Sequence, residues 1–207
     1  MPTSQRLNVT LSIGEAVNSY PVWVYKDTQL SCPDGVMITQ SVQEALSALK
    51  SGGCVFLTPH ANEIHFPQSI QAQFTTDFWS VGTFAGQSGF MGCMMDPEHP
   101  VFRDFPTEFH SNWQWWPMCR GRAVILPDDI QPIITGLDCY ARMRHMGMLV
   151  EARVGKGKLM LSSMGLLETQ EYPEVRAMTR SILNYMGSGE FIPDQVLSDK
   201  TISELVR

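Results

Sequence analysis

The residues best equipped for chemistry crowd into one stretch, residues 92–116, which reads GCMMDPEHPVFRDFPTEFHSNWQWW. It holds three of the five tryptophans and two of the five histidines. Asp96, Glu98, Asp104 and Glu108 supply carboxyl groups, and glycoside cleavage needs two of these facing each other across the scissile bond. Nothing in their spacing sets such a separation. Asp96, Glu98, His99 and His110 also have the chemistry of metal ligands, but their spacing matches no metal geometry, so neither a metal nor a cofactor is expected. His99 precedes Pro100, which favours an extended backbone there and a ring that bonds to the main chain.

Trp113, Trp115 and Trp116 are the real contest. Indole faces stack on the apolar faces of sugar rings, dock against protein neighbours, or fill a core with their N–H satisfied. All three outcomes remain open at this level. In an extended segment Trp113 and Trp115 would share a face and Trp116 would oppose them. Asn112 and Gln114 beside them suit any of the three. The ligand or interface candidates are therefore Asp96, Glu98, His99, His110, Asn112, Trp113, Gln114, Trp115 and Trp116.

Composition narrows the partners. The chain has 207 residues, a formal net charge of −6 and no long run of like charges. That balance disfavours nucleic acid or an anionic membrane surface as the main partner. No stretch approaches 18 consecutive apolar residues, and the first residues do not read as a leader peptide. Cys32, Cys54, Cys93, Cys119 and Cys139 are odd in number, scattered, and form no CxxC pair. Free thiols in a reducing, cytoplasmic setting are the plain expectation.

Several elements must position that central stretch. Leu7, Val9, Leu11 and Ile13 alternate with Asn8, Thr10 and Ser12, predicting a half-buried strand. A second apolar run spans 20–25, with Pro21 expected at its start or on an edge. After a turn at 32–35, residues 36–39 form a short strand. Ser41 with Glu44 reads as a capping box, and Val42, Ala45, Leu46 and Leu49 make one buried helical stripe. Gly52 and Gly53 end the helix, and residues 54–57 read as a buried strand. Strand, capped helix and buried strand together predict a βαβ unit.

Residues 60–120 read mostly as loop, punctuated by Gly82, Gly86, Gly89 and Gly92. Strands are expected at 123–126, near 133–134, at 148–154 and at 159–163, the last two joined by a Gly155-Lys156-Gly157-Lys158 turn. Pro173 opens a helix over 173–186 that Gly187 closes. Residues 190–207 read as a tail.

Taken together, Asp96-Pro97-Glu98-His99-Pro100, Phe105-Pro106-Thr107, His110-Ser111-Asn112-Trp113-Gln114-Trp115-Trp116 and Val154-Gly155-Lys156-Gly157-Lys158-Leu159 resemble a module of large bacterial glycoside hydrolase family 2 (beta-galactosidase-like) proteins. There it lies C-terminal to sugar-binding, immunoglobulin-like and barrel domains. Asn18-Ser19-Tyr20-Pro21-Val22-Trp23-Val24-Tyr25 resembles the junction where that module begins.

The module itself is similar to class I glutamine amidotransferase and ThuA-like domains. The resemblance implies a flavodoxin-like α/β three-layer sandwich, with a mostly parallel sheet, helices on both faces and a C-terminal antiparallel hairpin. It also implies an N-terminal strand and linker over 1–20, possessing the character of a preceding β domain, an α/β domain over 21–189 and a tail over 190–207. Amidotransferase chemistry needs a cysteine on a tight strand-to-helix turn. Cys54 instead opens a strand, and Cys93 in Met91-Gly92-Cys93-Met94-Met95 has a bulky Met where the elbow wants glycine, so no catalytic residue is expected.

The implied role is a non-catalytic accessory module of a carbohydrate-degrading protein, docking on a neighbouring catalytic domain or a second copy of itself. The alternatives are a free-standing ThuA-like hydrolase, which requires polar groups converging at the carboxyl ends of parallel strands, and a carbohydrate-binding module using the tryptophans. The parent protein would be the glycoside hydrolase.

Overall fold

The computed structural model describes residues 3–26, 29–74 and 86–207; Gly82 lies outside them. The predicted βαβ unit forms as β3 (Val36–Thr39), α1 (Val42–Lys50) and β4 (Cys54–Leu57), with β3 and β4 parallel. Ser41 caps α1 by accepting from Glu44 N, but the capping box closes differently. Glu44 Oε2 accepts from the Thr39 hydroxyl at 2.6 Å, and Thr39 in turn accepts from Ser41 N. Thr39 thus relays the contact that a capping-box glutamate makes directly.

Beyond β4 the sheet departs from a flavodoxin-like order. Strands β5 (Ser69–Gln71), β6 (Phe90–Met95), β7 (Arg122–Ile125), β8 (Ile134–Asp138), β9 (Met146–Val154) and β10 (Gly157–Ser162) complete an eight-stranded sheet. Only β3–β4 and β4–β10 are parallel. β9 pairs antiparallel with β10, β7 and β8, while β5 pairs with β7 and β6 with β8, all antiparallel. The protein is mixed α/β with a mostly antiparallel sheet, and the expectation of a mostly parallel one is corrected. The reason lies in the connections. A parallel pair needs a crossover of a dozen or more residues, usually a helix. Among the described residues between β4 and α2 (Pro173–Met186), the strands are joined by loops and short 3-10 turns with no α-helix, so they return beside one another.

Two apolar clusters cover the sheet. Phe56, Met160, Met146, Met148 and Leu149 pack on one face with Val175, Met178 and Ile182 of α2. Val55, Leu57, Leu159, Leu161 and Val150 pack on the other with Ala45 and Leu49 of α1. That second cluster includes Ile202 and Leu205 of α3 (Asp199–Leu205), so the stretch read as a tail ends in a packed helix. Ser198 caps it by accepting from Thr201 N. Seven residues gave too short a period to see in advance.

The 155–158 turn is explained by structure. Gly155 takes φ 58, and a Cβ on Gly157 would lie 2.7 Å from Leu49 O at the end of α1. Lys158 reaches back to donate to Phe191 O at 2.7 Å.

The N-terminal strands β1 (Gln5–Ile13) and β2 (Ala16–Val24) pair only with each other. The predicted alternation is present, but its half-burial is not: every residue of β1 is exposed. Cross-strand partners share a face. Leu7 opposite Val22, Val9 opposite Tyr20, Leu11 opposite Asn18 and Ile13 opposite Ala16 therefore form one apolar face. Arg6, Asn8, Thr10 and Ser12 lie on the other, where Arg6 reaches Glu108 at 2.8 Å.

Candidate functional site

The central stretch begins as a strand that its sequence hides. β6 carries a register shift between Phe90 and Cys93, where Gly92 takes φ 118. A bulge breaks the two-residue period from which strands are read. Residues 109–111 then run along β6, through Met95 N to Phe109 O and Ser111 N to Cys93 O. The irregular segment thereby covers the sheet edge.

Residues 113–115 form a 3-10 turn, capped by Asn112, whose side chain accepts from Gln114 N. Positions three apart eclipse in this geometry, so Trp113 and Trp116 share a side and Trp115 turns inward. The extended-segment expectation, with Trp113 beside Trp115, is corrected on this ground. Trp115 is fully buried against Phe102 and Phe105, and its Nε1 donates to Thr107 Oγ1 at 3.0 Å. Trp113 is 74% exposed and Trp116 42%. Phe74 lies beside both, with ring centroids at 5.3 and 5.5 Å and interplanar angles of 38° and 72°. The Arg120 guanidinium sits 5.6 Å over the Trp116 ring.

Trp113 also walls a cavity of about 360 Å³ against Tyr20, Pro21, Val22 and Trp23 of β2, with Gln114 and Glu174. Gln114 has nothing to spare for a ligand. Its Oε1 accepts from Tyr25 OH at 2.6 Å, and its Nε2 donates to Pro106 O and Thr107 Oγ1. Burial pushes the Tyr25 phenol far above its ordinary range, with Glu174 adding to the effect. Asn112 is used as well, donating to Glu108 Oε2 at 2.9 Å.

The remaining candidates are scattered. Asp96 Oδ1 accepts from Glu98 N, as in an Asx turn. His99 Nδ1 accepts from Val101 N at 3.2 Å, in an extended conformation before Pro100. Burial lowers its pKa, against an opposing pull from Asp96. His110 lies beside Phe109, ring centroids 4.7 Å apart and planes inclined at 57°. Asp104 accepts from Asn184 Nδ2. No facing carboxyl pair emerges from these, and no group of three or more metal-ligating side chains exists among the described residues. The thiol of Cys93 is buried beside Cys119 Sγ at 3.8 Å, an interaction that together with burial raises its pKa well above normal.

Sequence reasoning missed Glu151 and Tyr185. Tyr185 OH donates to Glu151 Oε2 at 2.8 Å, beside a cavity of about 300 Å³ that His99, Asp194 and Gln195 also line. Burial raises the Glu151 pKa, against the lowering effect of the Tyr185 hydrogen bond. No local signal joins residues 34 apart on a strand and a helix. The carboxyl ends of the parallel strands carry Thr39, Thr58 and His60, with Glu168 3.1 Å from His60 Nδ1. Ser163, just after β10, is buried, its hydroxyl donating to Arg122 O.

A family described as Domain of unknown function (DUF8487) matches residues 36–207. The chain belongs to this family. No curated protein matches the chain. The DUF8487 span opens at the first residue of β3 and takes in the sheet, all three helices and the tryptophan turn. The β1–β2 hairpin falls outside it.

Proposed function

We propose that the chain is a non-catalytic accessory module of a glycoside hydrolase family 2-like, carbohydrate-degrading protein, and that it works by docking against a neighbouring catalytic domain. One observation carries this reading: the hairpin presents to solvent a face that is apolar but for Asn18. Leu11 is 60% exposed, Ile13 85% and Tyr20 52%. A two-stranded hairpin is marginal alone, and a face of this kind gains stability only when another surface covers it. No Asp, Glu, Lys, Arg or His lies among Leu7, Val9, Leu11, Ile13, Asn18, Tyr20 and Val22, which suits the depleted charge of an interface core.

The aromatic shelf of Phe74, Trp113 and Trp116 supports the same reading. Tryptophan anchors dominate protein interfaces when a rim excludes water. A sugar site would instead need spare polar groups beside the indoles, and Gln114 and Asn112 are already committed. The rings also meet Phe74 at steep angles, unlike a flat platform for a pyranose.

The test uses Leu11→Glu with Ile13→Glu, and separately Trp113→Ala with Trp116→Ala. Both pairs are expected to keep the fold and to lose binding to the catalytic barrel domain of the parent protein. Sugar binding by the wild type, abolished in the folded tryptophan variant, would replace docking by carbohydrate recognition.

A further inference from the structure

The loop that leaves β4 carries two histidines whose ring nitrogens are set by their partners. His60 Nδ1 lies 3.1 Å from Glu168 Oε1, the oxygen that also accepts from Ala61 N at 2.9 Å. An ionised carboxylate only accepts hydrogen bonds, so the imidazole proton sits on His60 Nδ1 and the lone pair on Nε2. His65 Nδ1 lies 2.9 Å from Asn62 Oδ1. That oxygen accepts from Ile64 N and His65 N, both at 3.0 Å, which fixes the amide with its carbonyl toward the ring. His65 therefore also carries its proton on Nδ1 and its lone pair on Nε2.

Imidazoles whose Nδ1–H is held by an oxygen acceptor, leaving Nε2 for the metal, are the arrangement that orients metal-ligating histidines. The ring centroids of His60 and His65 are 5.5 Å apart and their planes inclined at 54°. The two rings are thus neighbours at a separation compatible with both ligating one cation through Nε2. His60 is exposed and His65 partly so, giving an ion in solution access.

Three features make this more than two surface histidines. The two acceptor oxygens come from different parts of the chain, Asn62 within the loop and Glu168 from the segment after β10. The loop is pinned on both sides, by Phe66 N to Asn62 O and by Arg207 N to His65 O. It also leaves the carboxyl end of a parallel strand, the place where open α/β sheets bind ligands.

We propose that His60 and His65 form a two-histidine site for a divalent first-row transition metal, with Glu168 and Asn62 as positioning residues. Imidazole pairs suit copper, nickel and zinc, copper(II) most strongly. Since no third His, Cys, Asp or Glu completes a cluster among the described residues, water or an exogenous ligand fills the other positions. The site is independent of the docking surface and of its partner.

The experiment titrates the whole chain with copper(II) alone, then zinc(II), by calorimetry, with electron paramagnetic resonance of the copper form. The expected result is one copper per chain with splitting from two nitrogens. His60→Ala and His65→Ala should each weaken binding at least about ten-fold, and Glu168→Gln roughly ten- to hundred-fold. His110→Ala should bind as the wild type, and thermal melts check that every variant folds. Wild-type affinity in the His60→Ala/His65→Ala double variant overturns the proposal. So does loss of binding in Glu168→Gln while His60→Ala still binds, since the carboxylate would then be the ligand.

Discussion

Replacing each tryptophan of the central turn by alanine separates core from surface within four residues. Trp115 has no exposed area, contacts Phe102 and Phe105 at centroid distances of 6.2 and 5.3 Å, and satisfies Thr107 through its Nε1. Truncating a buried aromatic to alanine costs about 3–5 kcal/mol, through lost transfer energy and the cavity left behind. Thr107 Oγ1 keeps the Gln114 Nε2 donor, so losing the indole N–H adds little to that cost. For a chain of this size the melting temperature should fall by roughly 8–15 °C.

Trp113, largely in solvent, should lose no more than about 0.5 kcal/mol. Trp116 should lose about 1 kcal/mol, for its edge contact with Phe74 and the Arg120 guanidinium over its ring. Urea unfolding followed by circular dichroism measures all three without relying on tryptophan emission. A loss below about 2 kcal/mol for Trp115→Ala, or an equal loss for Trp113→Ala, would refute the inward and outward assignment.

Two pH-linked variants follow from the buried carboxyls. Burial alone would raise the Asp138 pKa, but the Arg144 guanidinium and the amides of Arg144 and Cys139 outweigh it and hold the carboxyl below its usual range. A depressed pKa stabilises the fold above the unfolded value and is lost as pH falls through the folded one. Asp138→Asn should therefore cost about 3 kcal/mol at pH 7 and progressively less in acid, read from melts between pH 7 and pH 2. Glu151 behaves oppositely: its raised pKa gives a contribution that is full in acid and lost as pH rises through the folded value. Glu151→Gln keeps an acceptor for Tyr185 and should be at least as stable as the wild type at pH 7, with that advantage gone below about pH 4; a melting curve that tracks the wild type at every pH would refute this.

The legible parts of the fold are those with local cause. The Ser41 cap and the α1 stripe, the run Cys54–Leu57, the Gly155 turn and the Pro173 start of α2 each obey a short-range rule. Strand direction obeys none. β7 and β8 both find β9, although 20 residues and fewer separate them, and only the absence of helices between them hinted at antiparallel returns. β6 was hidden because Gly92 interrupts its alternation. For the candidate site, aromatic content singled out residues 92–116, but the 3-10 turn within them reversed which indoles face out. The partners His60–Glu168 and Glu151–Tyr185 lie 108 and 34 residues apart, beyond any local pattern.

The docking account is tested most directly by sedimentation velocity of the chain, alone and mixed with the barrel domain of a glycoside hydrolase family 2 protein, the proposed partner, comparing wild type with Leu11→Glu/Ile13→Glu. These side chains are 60% and 85% exposed, so the fold should tolerate both charges. The account predicts a complex with the barrel domain whose affinity falls at least about ten-fold in the variant, since charges without partners in an interface core are strongly disfavoured. A wild-type chain that stays unbound, or a variant that binds the barrel domain as tightly as the wild type, would contradict it.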